Sequence, residues 1–223
     1  MTKNTNLKKW GHIDTCLIDQ NSTLRSFADD SRVIRPVASA FDMSLFQNDL
    51  NSVYNWAAIN KMSFNDTKFE VMRYNPSNVD LPDPVYYSAS GNPISFKTSV
   101  KDLGIMMSNT GNFSDHIIDV SQKMIAKASW ICRTFKSRSK LVMLSTWKSL
   151  VIPIHDYCSQ LWFPWKIKEI QLFEKVQWYF LQRIYGVSDD YWLALKELQV
   201  YSLQRRRERY VLFYIWKVLF LLY

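Results

Sequence analysis

Near residue 112 the apolar residues change their spacing, and this switch constrains the fold more than any other feature of the sequence. Before it, short apolar runs alternate with turn residues. Beyond it, Ile117, Val120, Met124, Ala128, Ile131 and Phe135 recur at steps of three and four, the signature of one helix face. Further helices are expected over about Ser139–Ile152, stopped by Pro153, and over Ile167–Tyr185, with Ile167, Ile170, Phe173, Val176, Phe180 and Ile184 inward. Ser114 is the expected N-cap of the first, Gly186 the expected C′ residue of the third, and a last helical stretch begins near Tyr191.

The first half reads as mixed α and β. Leu24 to Pro36 predicts a hairpin with Asp29, Asp30 and Ser31 at its tip. Met43, Phe46, Leu50, Val53, Tyr54 and Ala57 predict an amphipathic helix over 40–61. Lys68–Tyr74 reads as a strand and the proline-rich stretch 75–84 as a loop. Val85–Ala89 and Ile94–Phe96 read as a hairpin around Ser90–Pro93, and Val100–Met107 as one more strand. The fold class is therefore α+β followed by all-α, with domains 1–112 and 113–223.

Charge follows the same division. Residues 1–100 hold ten Lys/Arg and ten Asp/Glu, whereas residues 101–223 hold eighteen against ten, so the net +8 sits in the second half. Such a bias fits a polyanionic partner, nucleic acid or an anionic membrane surface, and equally a solvated basic face. Composition excludes disorder, at 48% hydrophobic residues with only five glycines. Three dispersed cysteines build no disulfide framework and suit a reducing compartment. His155 and Cys158 stand three apart, but two ligands make no zinc site. The N-terminal stretch carries no apolar run resembling a signal peptide. Tyr210–Tyr223 contains Lys217 and falls short of the roughly 20 apolar residues of a spanning helix. Stable membrane insertion is not expected, although the tail would also suit a helix lying on a membrane or one packing on a further partner.

Phe27-Ala28-Asp29-Asp30 carries the sharpest chemistry. Two adjacent carboxylates at a hairpin tip suit hard divalent cations, which take a few carboxylates plus water and phosphate oxygens. In two-metal sites the ions lie about 3.5–4 Å apart and clamp the attacking and leaving oxygens. Ala28 is small enough not to crowd a primer end, and Phe27 is expected to anchor the hairpin in the core. A surface turn with two solvated aspartates has the same sequence.

The stretch Ser26-Phe-Ala-Asp-Asp-Ser-Arg-Val33 resembles the metal-binding palm motif of reverse transcriptases of non-LTR (LINE-type, jockey/CR1-like) retrotransposons. The segments 49–57, Asn60–Met72, Val100–Ser108, Phe113–Ile117, Ser149–Trp162, Glu174–Gln177 and Leu203–Tyr210 are similar, in order, to later blocks of that family. The resemblance implies a partial palm (β-hairpins and strands with one long helix) followed by an all-α thumb, and intracellular action in cytoplasm or nucleus. It implies two-metal nucleotidyl transfer with Mg²⁺ or Mn²⁺ in the intact family, acting on an RNA template, a DNA primer and dNTPs. Asp29 would be a metal ligand and Asp30 its weaker neighbour. Lys68 would lie near the triphosphate, and Leu103 and Gly104 would position the primer. Lys123, Lys127, Lys136, Arg138 and Lys140 would track duplex phosphates, with Arg205–Arg209 adding to them.

The family also needs an aspartate from an earlier palm strand, and fingers that close over the nucleotide. Asp14 and Asp19 stand in no context resembling that strand, and residues 1–21 match poorly. The expectation is therefore weak metal binding, negligible polymerisation by this chain alone, and a first half with an open sheet edge and loose packing. Two other classes stay open: a non-enzymatic nucleic-acid-binding remnant and a membrane-associated helical protein.

Overall fold

The computed structural model describes residues 18–27, 30–62, 64–74 and 84–221. The chain divides into two compact units, Met1–Gly111 and Asn112–Tyr223. Both helix and strand are present, so the fold is mixed α and β.

The first unit starts with strands β1 (Thr23–Phe27) and β2 (Asp30–Ile34), paired antiparallel from Thr23↔Ile34 to Phe27↔Asp30. Helix α1 (Ala40–Ile59) follows. Its start is a reciprocal cap: the Ser39 hydroxyl accepts from the Asp42 amide at 3.2 Å, and Asp42 accepts from the Ala38 amide at 3.1 Å. A 3₁₀ turn over Asp66–Lys68 leads into β3 (Glu70–Val71), which pairs in parallel with β4 (Ser95–Phe96). Strands β5 (Ser99–Asp102) and β6 (Ile105–Ser108) close the unit as an antiparallel pair. The strands thus form three separate two-stranded sheets, each too small to stand alone in water.

Helix α1 holds two of them, β1–β2 and β3–β4. Leu50 and Tyr54 on its inner face meet Tyr86 and Ile94, with Phe46, Phe64, Phe69, Val71 and Phe96 packed around them. Four ring pairs meet edge to face, from Phe46–Tyr86 at 4.9 Å to Tyr54–Phe64 at 5.9 Å, and Tyr86 stacks on Phe96 at 6.0 Å. Burial, with Asp66 nearby, pushes the Tyr54 hydroxyl up to about 12.

Two expectations for this unit change. Val100–Met107 is a hairpin rather than one strand, because Leu103 (φ 45°) and Gly104 (φ 85°) take the two left-handed positions of a two-residue turn. The glycine therefore serves a turn. Lys68–Tyr74 contributes only two strand residues, the 3₁₀ turn taking its start. In the stretch 85–96 the expected hairpin is present in short form: the antiparallel bridge Tyr87↔Pro93 is flanked by donation from the Ser88 amide to Asn92 and from the Ile94 amide to Tyr86, while Ser95 and Phe96 pair with β3.

The second unit is all helix: α2 (Ser114–Thr134), α3 (Lys140–Thr146), α4 (Ile152–Asp156), α5 (Ile167–Leu181), α6 (Tyr191–Glu197) and α7 (Leu203–Leu221). Met124, Ala128, Ile131, Met143, Val151, Phe173, Phe180, Leu181 and Leu203 are wholly buried. Pro153 does not end a helix. A π turn over Trp147–Val151 joins α3 to α4, with the Ile152 amide donating to the Trp147 carbonyl, and this widened turn accommodates the proline. Ser114 is the first helical residue rather than the cap; Asn112 accepts from its amide at 2.8 Å. Ile167 is exposed, and α5 ends at Leu181, five residues before Gly186.

Candidate functional site

The acidic hairpin obeys strand parity. Leu24 and its partner Val33 face the core, so Phe27 and Asp30, each three residues away, face the opposite side. Phe27 is accordingly 68% exposed and does not anchor the hairpin inside. Asp30 shares its outer face with the cross-strand pair Arg25↔Arg32. Ala28 and Asp29 lie outside the described residues, as do Asp14 and the stretch 1–17. Among the described residues, no group of three or more His, Cys, Asp or Glu is placed to hold a metal ion.

The base of the hairpin is held by a polar clip that the sequence did not reveal. The buried Arg35 guanidinium donates to Asp19 (3.1 Å), Ser22 (3.0 Å) and Asp49 (3.3 Å). Asp49, buried on α1, also accepts from the Asp19 amide at 2.8 Å and from the Ser22 hydroxyl. Backbone donation from Asn21 holds the Asp19 carboxyl below its usual range; the Ser39 hydroxyl does the same for Asp42. Arg35 thus ties the segment before β1 and the end of β2 to one helix.

A second tie brings two of the expected elements together. Arg32 pairs with Asp102 at 2.7 Å, two residues from Asp30 and one from Leu103. The hairpin expected to position a primer is therefore joined to the acidic hairpin. Lys68 is exposed on the 3₁₀ turn, and among the described residues it makes no side-chain hydrogen bond or ion pair with the acidic hairpin.

In the second unit the expected basic row divides by role. Lys123 is exposed and pairs with Asp119 one turn earlier at 2.5 Å. Lys127 stands 5.2 Å over the Trp130 ring, and Lys136 and Lys140 are exposed. Arg138 differs: it donates to the Phe135 carbonyl at 2.8 Å and to the Cys132 carbonyl, closing the C-terminal end of α2. It is a helix-capping residue more than a free cation. Arg133 joins the row instead, because residues 123, 127, 130 and 133 fall on one exposed arc of the helix.

The run Arg205–Arg209 divides as well. Arg206 forks onto Asp156, with Nη2 at 2.7 Å and Nε at 3.0 Å from Oδ2. Arg207 is wholly buried over the Phe163 and Phe173 rings, and burial lowers its guanidinium to about 10. Only Arg205 and Arg209 stay at the surface, both over Tyr201. Family models, curated proteins and solved structures yield no match to this chain.

Sequence reasoning missed Trp130 and Tyr185 as surface aromatics. Trp130 is 44% and Tyr185 83% exposed. A signal for Trp130 was present, since it falls on the Lys123–Lys127 row and off the 117-120-124-128-131 apolar row. Tyr185 carried none. Trp165 and Trp192 are exposed as well, at 82% and 68%, and so are Leu212–Trp216 and Val218–Phe220 in the second half of α7. Among the described residues, no helix is long and apolar enough to cross a membrane.

Proposed function

We propose that this chain descends from a non-LTR retrotransposon reverse transcriptase and acts, by itself, as a nucleic-acid-binding protein with negligible nucleotidyl transfer. The observation that carries the binding half is the exposed arc Lys123, Lys127 and Arg133 on α2, continued by Lys136 and Lys140. A rigid row of cations along a helix of 21 residues suits a phosphate backbone, with affinity that is independent of sequence and falls with salt.

The lineage rests on the ordered resemblance of the blocks from Ser26 to Tyr210. In that reading Asp29 and Asp30 would hold Mg²⁺ or Mn²⁺, which neutralises charge on the reacting oxygens when bound. Asp30 faces outward on the same side of the hairpin as Arg25 and Arg32, and Arg32 pairs with Asp102. Polymerisation needs a further carboxylate in the same cluster, and only Asp29 and Asp30 stand in a matching context.

Two assays test the reading. Purified protein should shift a labelled RNA–DNA hybrid at low salt and lose it on Lys127→Glu/Lys136→Glu substitution. Primer extension with Mg²⁺ or Mn²⁺ should yield no product above background. Robust cDNA synthesis that Asp29→Asn abolishes would overturn the inactive reading, and no hybrid shift at low salt would overturn the binding reading.

A further inference from the structure

A row of cations alone would track phosphates and ignore bases. This row includes one exposed aromatic ring, Trp130, and a second, Tyr185, belongs to a residue whose backbone is tied to Arg138 just beyond the row. Trp130 lies within the Lys123–Lys127–Arg133 arc and meets Phe135 edge to face at 6.3 Å. The Phe135 carbonyl accepts from Arg138, and the Arg138 carbonyl accepts from the Tyr185 amide at 2.9 Å. Trp130 and Tyr185 are thus linked through the 135–138 segment, with Lys136 inside that segment and Lys140 two residues beyond it. Both residues reach solvent, Trp130 at 44% and Tyr185 at 83% exposure.

From this placement we infer that the α2 surface takes single-stranded nucleic acid, with Trp130 and Tyr185 as stacking platforms for unpaired bases. The inference rests on the nucleic-acid reading above and narrows it from phosphate tracking to recognition of an unpaired strand. The chemistry is that of sequence-tolerant single-strand binders, where a positive track holds the backbone and each exposed ring offers a π-face to a base. Paired bases in a duplex keep their faces stacked on each other and offer none. Lys127 over the Trp130 ring does not block this. An exposed cation–π contact contributes only roughly two- to fivefold in affinity, whereas one base–aromatic stack contributes roughly five- to 150-fold. The base displaces the ammonium, which then lies beside the adjoining phosphate.

The test compares a short single-stranded RNA, the same sequence as DNA, and a blunt RNA–DNA hybrid of equal length, each binding the full chain by fluorescence anisotropy. Trp130→Ala with Tyr185→Ala is expected to weaken both single strands by about tenfold or more and the hybrid by less than about threefold. Trp130→Phe with Tyr185→Phe keeps the π-faces and should restore most of the single-strand affinity. Independently of affinity, the Trp130→Phe protein should lose part of the tryptophan quenching that single strands cause in the unsubstituted chain. Equal losses on hybrid and single strands, or an alanine variant that binds single strands unchanged, would overturn the stacking role alone. Absence of binding to all three ligands at low salt would overturn the nucleic-acid reading and this inference with it.

Discussion

The first unit is held by aromatic edges and one polar clip; the second is held by close-packed helices whose apolar rows are wholly buried. In the first, β1–β2 and β3–β4 pack on α1, the Arg35 network ties β1–β2 to that helix, and the Arg32–Asp102 pair joins β5 to β2. In the second, most of the cohesion is burial of apolar side chains, with the buried polar groups His155, Gln177 and Arg207 set among them. The difference separates two design problems. Positioning an acidic turn needs directional ties with little mass, while presenting a row of cations needs a rigid, deeply seated helix. It follows that damage to the first unit should leave the basic face of α2 working.

The largest expected effect is on the second unit. Phe173→Ala removes a wholly buried ring that contacts His155, Trp162 and the Arg207 guanidinium. It should destabilise that unit by about 3–5 kcal/mol, seen as lost amide protection across α2, α5 and α7 in hydrogen exchange. Next, Asp49→Ala leaves Arg35 buried with fewer partners. About 2–4 kcal/mol should be lost, with loss of protection confined to α1 and β1–β2. Were protection lost equally in both units, the contrast drawn above would fail.

Acid should also separate the units. Burial holds the wholly buried His155 below the usual imidazole value of 6.5, with Asp156 only partly opposing it. The unfolded chain therefore takes up a proton near pH 6.5 that the folded unit refuses, and stability is full above that pH and falls progressively below it. Asp19, Asp42 and Asp66 in the first unit are instead held below the usual 3.8 by hydrogen bonds. Their contribution is present above that value and is lost only as pH falls through their lower folded values. Melting between pH 7 and 5 should thus weaken the second unit first, and His155→Gln should flatten that slope. The smallest effect belongs to Arg32→Ala, where a partly exposed ion pair at 2.7 Å contributes roughly 0–1 kcal/mol. The expected consequence is faster exchange in β5 and β6 with little change in melting.

Periodicity made the helices legible. The apolar row of α2 and the span of α1 follow from spacing alone, because a three-to-four step admits few alternatives. Tertiary context decided the rest. Phe27 was expected inside, yet strand parity relative to Leu24 puts it out, and the sequence does not say which face of a five-residue strand meets a helix. Leu103 in a left-handed turn has no local signal, since leucine seldom takes that conformation. Pro153 passed as a helix stop because the π turn that accommodates it has no composition of its own. At the candidate site, Lys123, Lys127, Lys136 and Lys140 were readable as charges, whereas the capping role of Arg138 and the burial of Arg207 depend on folds in the chain around them.

The most direct test of the central claim is the salt dependence of RNA–DNA hybrid binding by the unsubstituted chain and by Lys127→Glu/Lys136→Glu. Five exposed cations on and beyond α2 predict a log–log slope of about −4.5, reduced in magnitude by about 2 in the variant. Binding that is flat in salt, or a slope that the variant leaves unchanged, would contradict the account.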